Sequence, residues 1–175
     1  LPEIARPLLN RRETFDVLHI STHSVLDGEV PLVDALAFPK DDIFAYDFAL
    51  TPLRANLAVL SACELFRPRG DALQPVSGIA TAVLGRIAPL VVTTLWAVNS
   101  TATRIFMLRF YDALLSGKTP AAALAITKRD FLKPAELKRW MSSAGVPVPE
   151  GADIDSYCDP YYWAPFVLTV GLVPE

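Results

Sequence analysis

Cysteine and histidine are scarce in this chain of 175 residues, which has two of each: Cys63 and Cys158, His19 and His23. Two cysteines do not make a disulfide scaffold and two histidines do not form a zinc ligand set, so neither a redox framework nor a metal centre is expected, and no cofactor. An excess of basic charge is also missing. Sixteen Lys and Arg stand against nineteen Asp and Glu, for a net charge of −3. A phosphate backbone needs a positive field to bind, so nucleic acid is not expected as a direct partner. No apolar run approaches the roughly 18 residues that cross a bilayer, and the amino end has no basic-then-apolar leader. A cytoplasmic, membrane-free protein is the expectation. The sequence also lacks a glycine-rich strand-to-helix turn, which argues against a flavodoxin-like nucleotide binder.

What is present is apolar. With 52% hydrophobic and 20% charged residues, the chain reads as a single domain over 1–175 with a sizeable core. It starts at Leu1-Pro2 rather than at Met, and reads as a piece of a longer polypeptide.

Two stretches share one grammar. Leu57 to Leu60 is too short for a helix with a buried face, contains a β-branched residue and is bounded by polar residues, so it predicts a buried strand; it runs through Ser61 and Ala62 to Cys63. Asp16 to Ser21 predicts another strand, running through Thr22 to His23. In an open parallel α/β sheet the carboxyl ends of strands are where crevices form. Neighbouring strands lie about 4.8 Å apart, so two of them ending in His and Cys could address one substrate carbonyl. A thiol needs its thiolate fraction raised and a proton donor for the leaving group, and an imidazole near neutrality supplies both. The backbone N–H groups of Cys63 and Ser24 are the natural donors to an oxyanion. His19, inside its strand, reads as a core histidine satisfied by hydrogen bonds.

The rest of the chain alternates helix and strand. Leu1 to Arg12 predicts a short helix, and 24–47 a hairpin or irregular excursion near the site. Phe48 to Arg54 contains a helical turn. Ser77-Gly78 opens a helix to about Arg86, and Pro89 to Val98 predicts a central parallel strand. Ser100 is expected to cap a helix closed by Gly117, and Thr119-Pro120 to start another ending near Leu132. A short helix over 134–144 follows, then a loop over 145–160. Tyr161 to Gly171 predicts a last strand, in which Pro165 marks an edge position or the strand's beginning. The pattern implies an α/β sandwich with a mostly parallel central sheet.

His19-Ile20-Ser21-Thr22-His23, Val59-Leu60-Ser61-Ala62-Cys63-Glu64, Thr94-Leu95-Trp96-Ala97-Val98 and Asp159 to Leu168, with its Pro160-Tyr161-Tyr162-Trp163 core, resemble the ordered blocks of the CHAT domain family. That family groups with caspases, separase and gingipain-like peptidases. The resemblance covers Asp16 to Gly171 and implies a caspase-like three-layer α/β/α sandwich, peptide-bond cleavage by a His/Cys dyad, and a position downstream of helical repeats such as TPRs. By position it makes His23 the dyad histidine and Cys63 the nucleophile. Protein or peptide substrates would lie extended along the strand ends, partly by β-addition to an exposed edge.

The match has departures. Ser24 stands where the family has Gly after the histidine, Leu65-Phe66 where it has Thr-Gly, and Asn99-Ser100 where it has acidic residues. Substrate contacts are expected from Ser61, Trp96, Ala97 and Asn99. Ser61, two residues before Cys63 on a strand, shares its face and is small and neutral. Caspases place an arginine after the tryptophan to bind aspartate; Ala97 stands there instead, so cutting after aspartate is not favoured. The other reading of the same residues is a catalytically silent module that presents a peptide groove.

Overall fold

A computed structural model describes residues 5–27, 30–38, 41–61 and 77–171 of the chain. Cys63 and the substituted pair Leu65-Phe66 lie outside the described residues. The chain separates into two compact units, Leu1–Ala97 with Val167–Glu175, and Val98–Phe166.

The first unit contains the sheet. After helix α1 (Ala5–Leu9), strand β1 (Thr14–Ser21) leads through a bend at Thr22 into β2 (His23–Val25), a 3₁₀ turn (Pro31–Val33), β3 (Ala35–Ala37) and β4 (Ile43–Phe44). Helix α2 (Ala45–Leu50) precedes β5 (Arg54–Ser61); α3 (Gly78–Arg86) precedes β6 (Leu90–Thr94); β7 (Phe166–Val170) comes last. The strand order is β1-β5-β6-β7, and both β1/β5 and β5/β6 are parallel. Gly171 donates its N–H to the Pro89 carbonyl at 2.8 Å, which puts the end of β7 beside the start of β6. The expected α/β fold with a mostly parallel sheet is what the chain forms, and β6 is an interior strand as its apolar sequence requires.

One face of this sheet makes the core. Leu18, Ala58, Leu60 and Val91 pack with Phe48 of α2, with Ile79 and Val83 of α3, and with Leu36 and Ile43 of β3 and β4. Each of these larger side chains, when fully buried, stabilises the fold by about 1.5–3 kcal/mol. Leu57 and Val59, pointing the other way from β5, are buried as well. Burial on both faces explains the unbroken apolar run of β5.

The described residues of the excursion after Ser24 form short strands. β2, β3 and β4 form an antiparallel ribbon in that order, with His23 opposite Ala37 and Ala35 opposite Phe44. The strands are two or three residues long, too short to show an alternation in sequence. The expected turn at 48–54 lies earlier, at Ala45–Leu50. The helix expected over 1–12 is described at Ala5–Leu9.

In the second unit, α4 (Ser100–Leu115), α5 (Pro120–Phe131) and α6 (Pro134–Ser143) are followed by a 3₁₀ stretch (Ile154–Cys158) and α7 (Pro160–Trp163). Thr119 caps α5 by accepting from the Ala122 N–H at 3.3 Å, and Pro120 occupies its first position. Gly117 takes φ 84° after α4, the left-handed conformation expected of a closing glycine. Phe106 stacks on Phe166 with centroids 3.9 Å apart and tilts against Phe131 at 5.3 Å. Arg109 ties the helices together, 2.8 Å from Asp130 and 3.0 Å from Asp112, with its guanidinium over Trp140.

Three sequence expectations are corrected here. The cap of α4 is Asn99, one residue before Ser100, because the longer side chain reaches both the Thr101 and Ala102 N–H groups. The strand expected over 89–98 is confined to Leu90–Thr94. Tyr161 to Trp163 are helical rather than extended: Asp159 accepts from the Tyr161 N–H at 2.8 Å and Pro160 fills the first position of α7, so the cap overrides the β preference of the aromatics. Pro165 then precedes β7, which is an edge strand.

Candidate functional site

The register of the sheet defines the site. Ser21 of β1 is level with Ser61 of β5, and Val59 of β5 with Val92 of β6, which puts Ser61 level with Thr94 two residues further on. Three parallel strands thus end at one height on a row of hydroxyl residues. Two residues beyond each of these along the chain come His23, Cys63 and Trp96. Adjacent parallel strands that stop in register put their own ends on a common rim.

His23 leaves that rim through the bend at Thr22 and begins β2, where its side chain is exposed. The Thr22 hydroxyl donates to the Ala37 carbonyl, and the pairing of His23 with Ala37 continues the ribbon. The histidine is therefore carried by two supports, β1 behind it and β3 beside it. Ser24 is the half-buried middle residue of β2, opposite Leu36. Its strand backbone is one that serine adopts freely, so the substitution for glycine meets no demand for positive φ.

Ser61 is engaged. Its Oγ lies 3.2 Å from His19 Nε2, across the β1–β5 pair and two residues along the strand. His19 is exposed on β1, which corrects the expectation of a core histidine while bearing out its hydrogen bonding. Protein packed around the ring disfavours the imidazolium and lowers its pKa. At neutral pH the pair is thus a neutral imidazole joined to a hydroxyl at the carboxyl end of the strands.

Trp96 and Ala97 follow the end of β6, Trp96 half-buried and Ala97 exposed. Asn99 belongs to the second unit, where its side-chain oxygen is occupied in capping α4. The structure therefore brings the carriers of His23, Ser61 and Trp96 to one rim of the first unit.

A family model, the CHAT domain, matches residues 3–171. The chain belongs to the CHAT domain family. CHAT domains are a caspase-like, peptidase-related family, and the matched span includes all four blocks on which the sequence resemblance rests. A search of curated proteins finds no match. Within this CHAT domain, sequence reasoning missed Asp34, a fully buried carboxylate in the ribbon. The signal was an acidic residue inside the apolar run Pro31-Leu32-Val33-Asp34-Ala35-Leu36, where a charge needs a built-in partner. Among the described residues no group of His, Cys, Asp and Glu could hold a metal ion, and no helix is long and apolar enough to cross a membrane.

Proposed function

We propose that this CHAT domain is a cysteine endopeptidase acting through His23 and Cys63. The observation that carries the reading is the level row Ser21, Ser61 and Thr94, with the family's histidine, cysteine and tryptophan each two residues beyond it. The Cys63 thiolate attacks the peptide carbonyl carbon, and the oxyanion accepts hydrogen bonds from the Cys63 and Ser24 N–H groups. His23 gives a proton to the departing amine, leaving an acyl thioester. Water, deprotonated by His23, then attacks the thioester and releases the carboxylate and the thiolate. Ser61 floors the pocket for the residue before the scissile bond, with Trp96 and Ala97 on the neighbouring strand end. The absence of an arginine after Trp96 makes aspartate a poor residue there.

Upstream domains, such as helical repeats, gate the activity, and a cytoplasmic, reducing setting keeps the thiol available. The test is a cleavage profile of a peptide library by the intact polypeptide. A defined preference for one residue before the cut, lost in Cys63→Ala, supports the assignment; an uncut library with the gating signal present overturns it.

A second reading is a catalytically silent module that binds extended peptides. Ser24 and Leu65-Phe66, which replace the Gly and Thr-Gly of the family pattern, are the residues that permit it.

A further inference from the structure

Asp34 has no solvent exposure. Its Oδ1 accepts the Asp27 N–H at 3.0 Å and its Oδ2 accepts the Gly78 N–H at 2.8 Å. Asp27 in turn accepts the Val30 N–H at 2.7 Å, and the Asp34 carbonyl accepts the Ala45 N–H at 2.8 Å. One carboxylate therefore joins the chain leaving β2, the residue before β3, and the first turn of α3. The amino end of a helix presents free N–H groups and partial positive charge, which is why an anion is stable there despite burial. The junction is closed tightly: a Cβ at Gly78 would lie 1.7 Å from the Pro31 carbonyl oxygen.

The same carboxylate stands one residue before β3, and β3 holds His23 through the Ala37 pairing. A mechanical chain thus runs from α3 through Asp34 and β3 to the imidazole, every link among described residues. α3 is packed into the core by Ile79 and Val83, so it is the fixed end. His23, exposed at the other end, is the part that would move.

We propose that Asp34 is a positioning residue for His23: by locking β3 to the start of α3, it sets where the imidazole stands over the rim of the sheet. It does not touch substrate. The inference rests on the peptidase reading for its effect on catalysis and on geometry alone for its effect on the ring. In Asp34→Asn, one of the two N–H groups faces an NH₂ donor instead of an acceptor, while size and shape are kept.

The experiment uses the intact polypeptide and two readouts. The first is NMR of the His23 ring together with amide exchange. Asp34→Asn should shift and broaden the His23 Cε1–H signal and speed exchange at Gly78 and Asp27, with the β1–β5 ladder unchanged. An unchanged His23 signal overturns the proposal. The second is the rate of covalent labelling of Cys63 by a peptide acyloxymethyl ketone. Asp34→Asn should slow it about tenfold in the native background, as expected for a displaced catalytic group. In a His23→Ala background it should have less than about a twofold effect, because a residue acting through another adds nothing once that one is gone. Equal slowing in both backgrounds means general destabilisation and overturns the proposal. If the native protein is not labelled at all, the peptidase reading fails and the NMR readout alone decides the positioning role. Ser77→Ala, which removes the α3 cap bond to the Ala80 N–H but leaves the Asp34 bonds, is the stability control; it should lower stability without shifting the His23 signal.

Discussion

His19 on β1 and Ser61 on β5 are joined by a hydrogen bond of 3.2 Å at the carboxyl end of the parallel pair. Residues paired in a parallel register point to the same face, and His19 pairs with Val59, two residues before Ser61. The bond therefore runs along the direction in which both strands approach the candidate site. It fixes the hydroxyl that the proposed mechanism places under the substrate residue preceding the cut.

A double-mutant cycle of His19→Ala and Ser61→Ala should show this coupling. Each single change is expected to cost about 0.5–1.5 kcal/mol, the net worth of a partly exposed hydrogen bond. The double variant should lose less than the sum by about 0.5 kcal/mol or more. Chemical denaturation of the four proteins measures it. Strict additivity would mean that the two side chains do not interact.

His19 also predicts a pH effect. Although the residue is exposed, protein packed against one part of its ring strips water from it and lowers its pKa below the usual 6.5, so between the folded and unfolded values the unfolded chain takes up the proton more readily. The residue's contribution to stability is complete above pH 6.5 and is lost as pH falls through the folded pKa. Melting temperatures from pH 7.5 down to pH 5 should fall more steeply in the native protein than in His19→Gln, which has no proton to gain. The difference should be small but of this sign, because solvent reaching the exposed ring screens much of the effect. Parallel pH curves would remove His19 as the cause.

Gly78 is fixed by its surroundings rather than by its backbone angle. A methyl group there meets the Pro31 carbonyl oxygen and carbon, both main-chain atoms with little freedom to retreat. Gly78→Ala should destabilise the protein by more than about 2 kcal/mol, in the range of severe overpacking. Gly85→Ala, on the same helix with open space around it, should be neutral or stabilising by up to about 1 kcal/mol. Thermal melts of the two variants make the comparison.

These contacts show what the sequence could convey. Caps were legible where the capping side chain and its helix are adjacent: Ser77, Thr119 and Gly117 fall where their residue types predict. The β5 run was legible because burial on both faces leaves an uninterrupted apolar stretch. The ribbon was not, since its strands are shorter than any periodicity and are held by Asp34, whose partner Gly78 is 44 residues away. The helical turn at Tyr161 hid behind aromatic β propensity, although Asp159-Pro160 repeats the cap-then-proline signal of Thr119-Pro120. Position inside a strand suggests a core place for His19, yet β1 leaves its ring exposed. Of the candidate site, only the order of motifs along the chain was legible. The level row of strand ends emerged only from the register.

Asn99, expected from the sequence to contact substrate, caps the helix it precedes. Asn99→Ala should cost about 0.5–2 kcal/mol by leaving the Thr101 and Ala102 N–H groups uncapped. Asn99→Asp should keep or raise stability, because the carboxylate caps equally well and faces the positive end of α4. Thermal denaturation distinguishes the two. Equal loss in both variants would show that capping is not what Asn99 contributes.

The most direct measurement of the central claim is covalent capture of the thiol. The intact polypeptide is treated with a peptide acyloxymethyl ketone and digested, and the modified residue is located by mass spectrometry. The account predicts a single adduct on Cys63, abolished by Cys63→Ala and strongly slowed by His23→Ala, with exposed Cys158 unmodified. Labelling at Cys158 alone, or labelling of Cys63 at the same rate with and without His23, would contradict it.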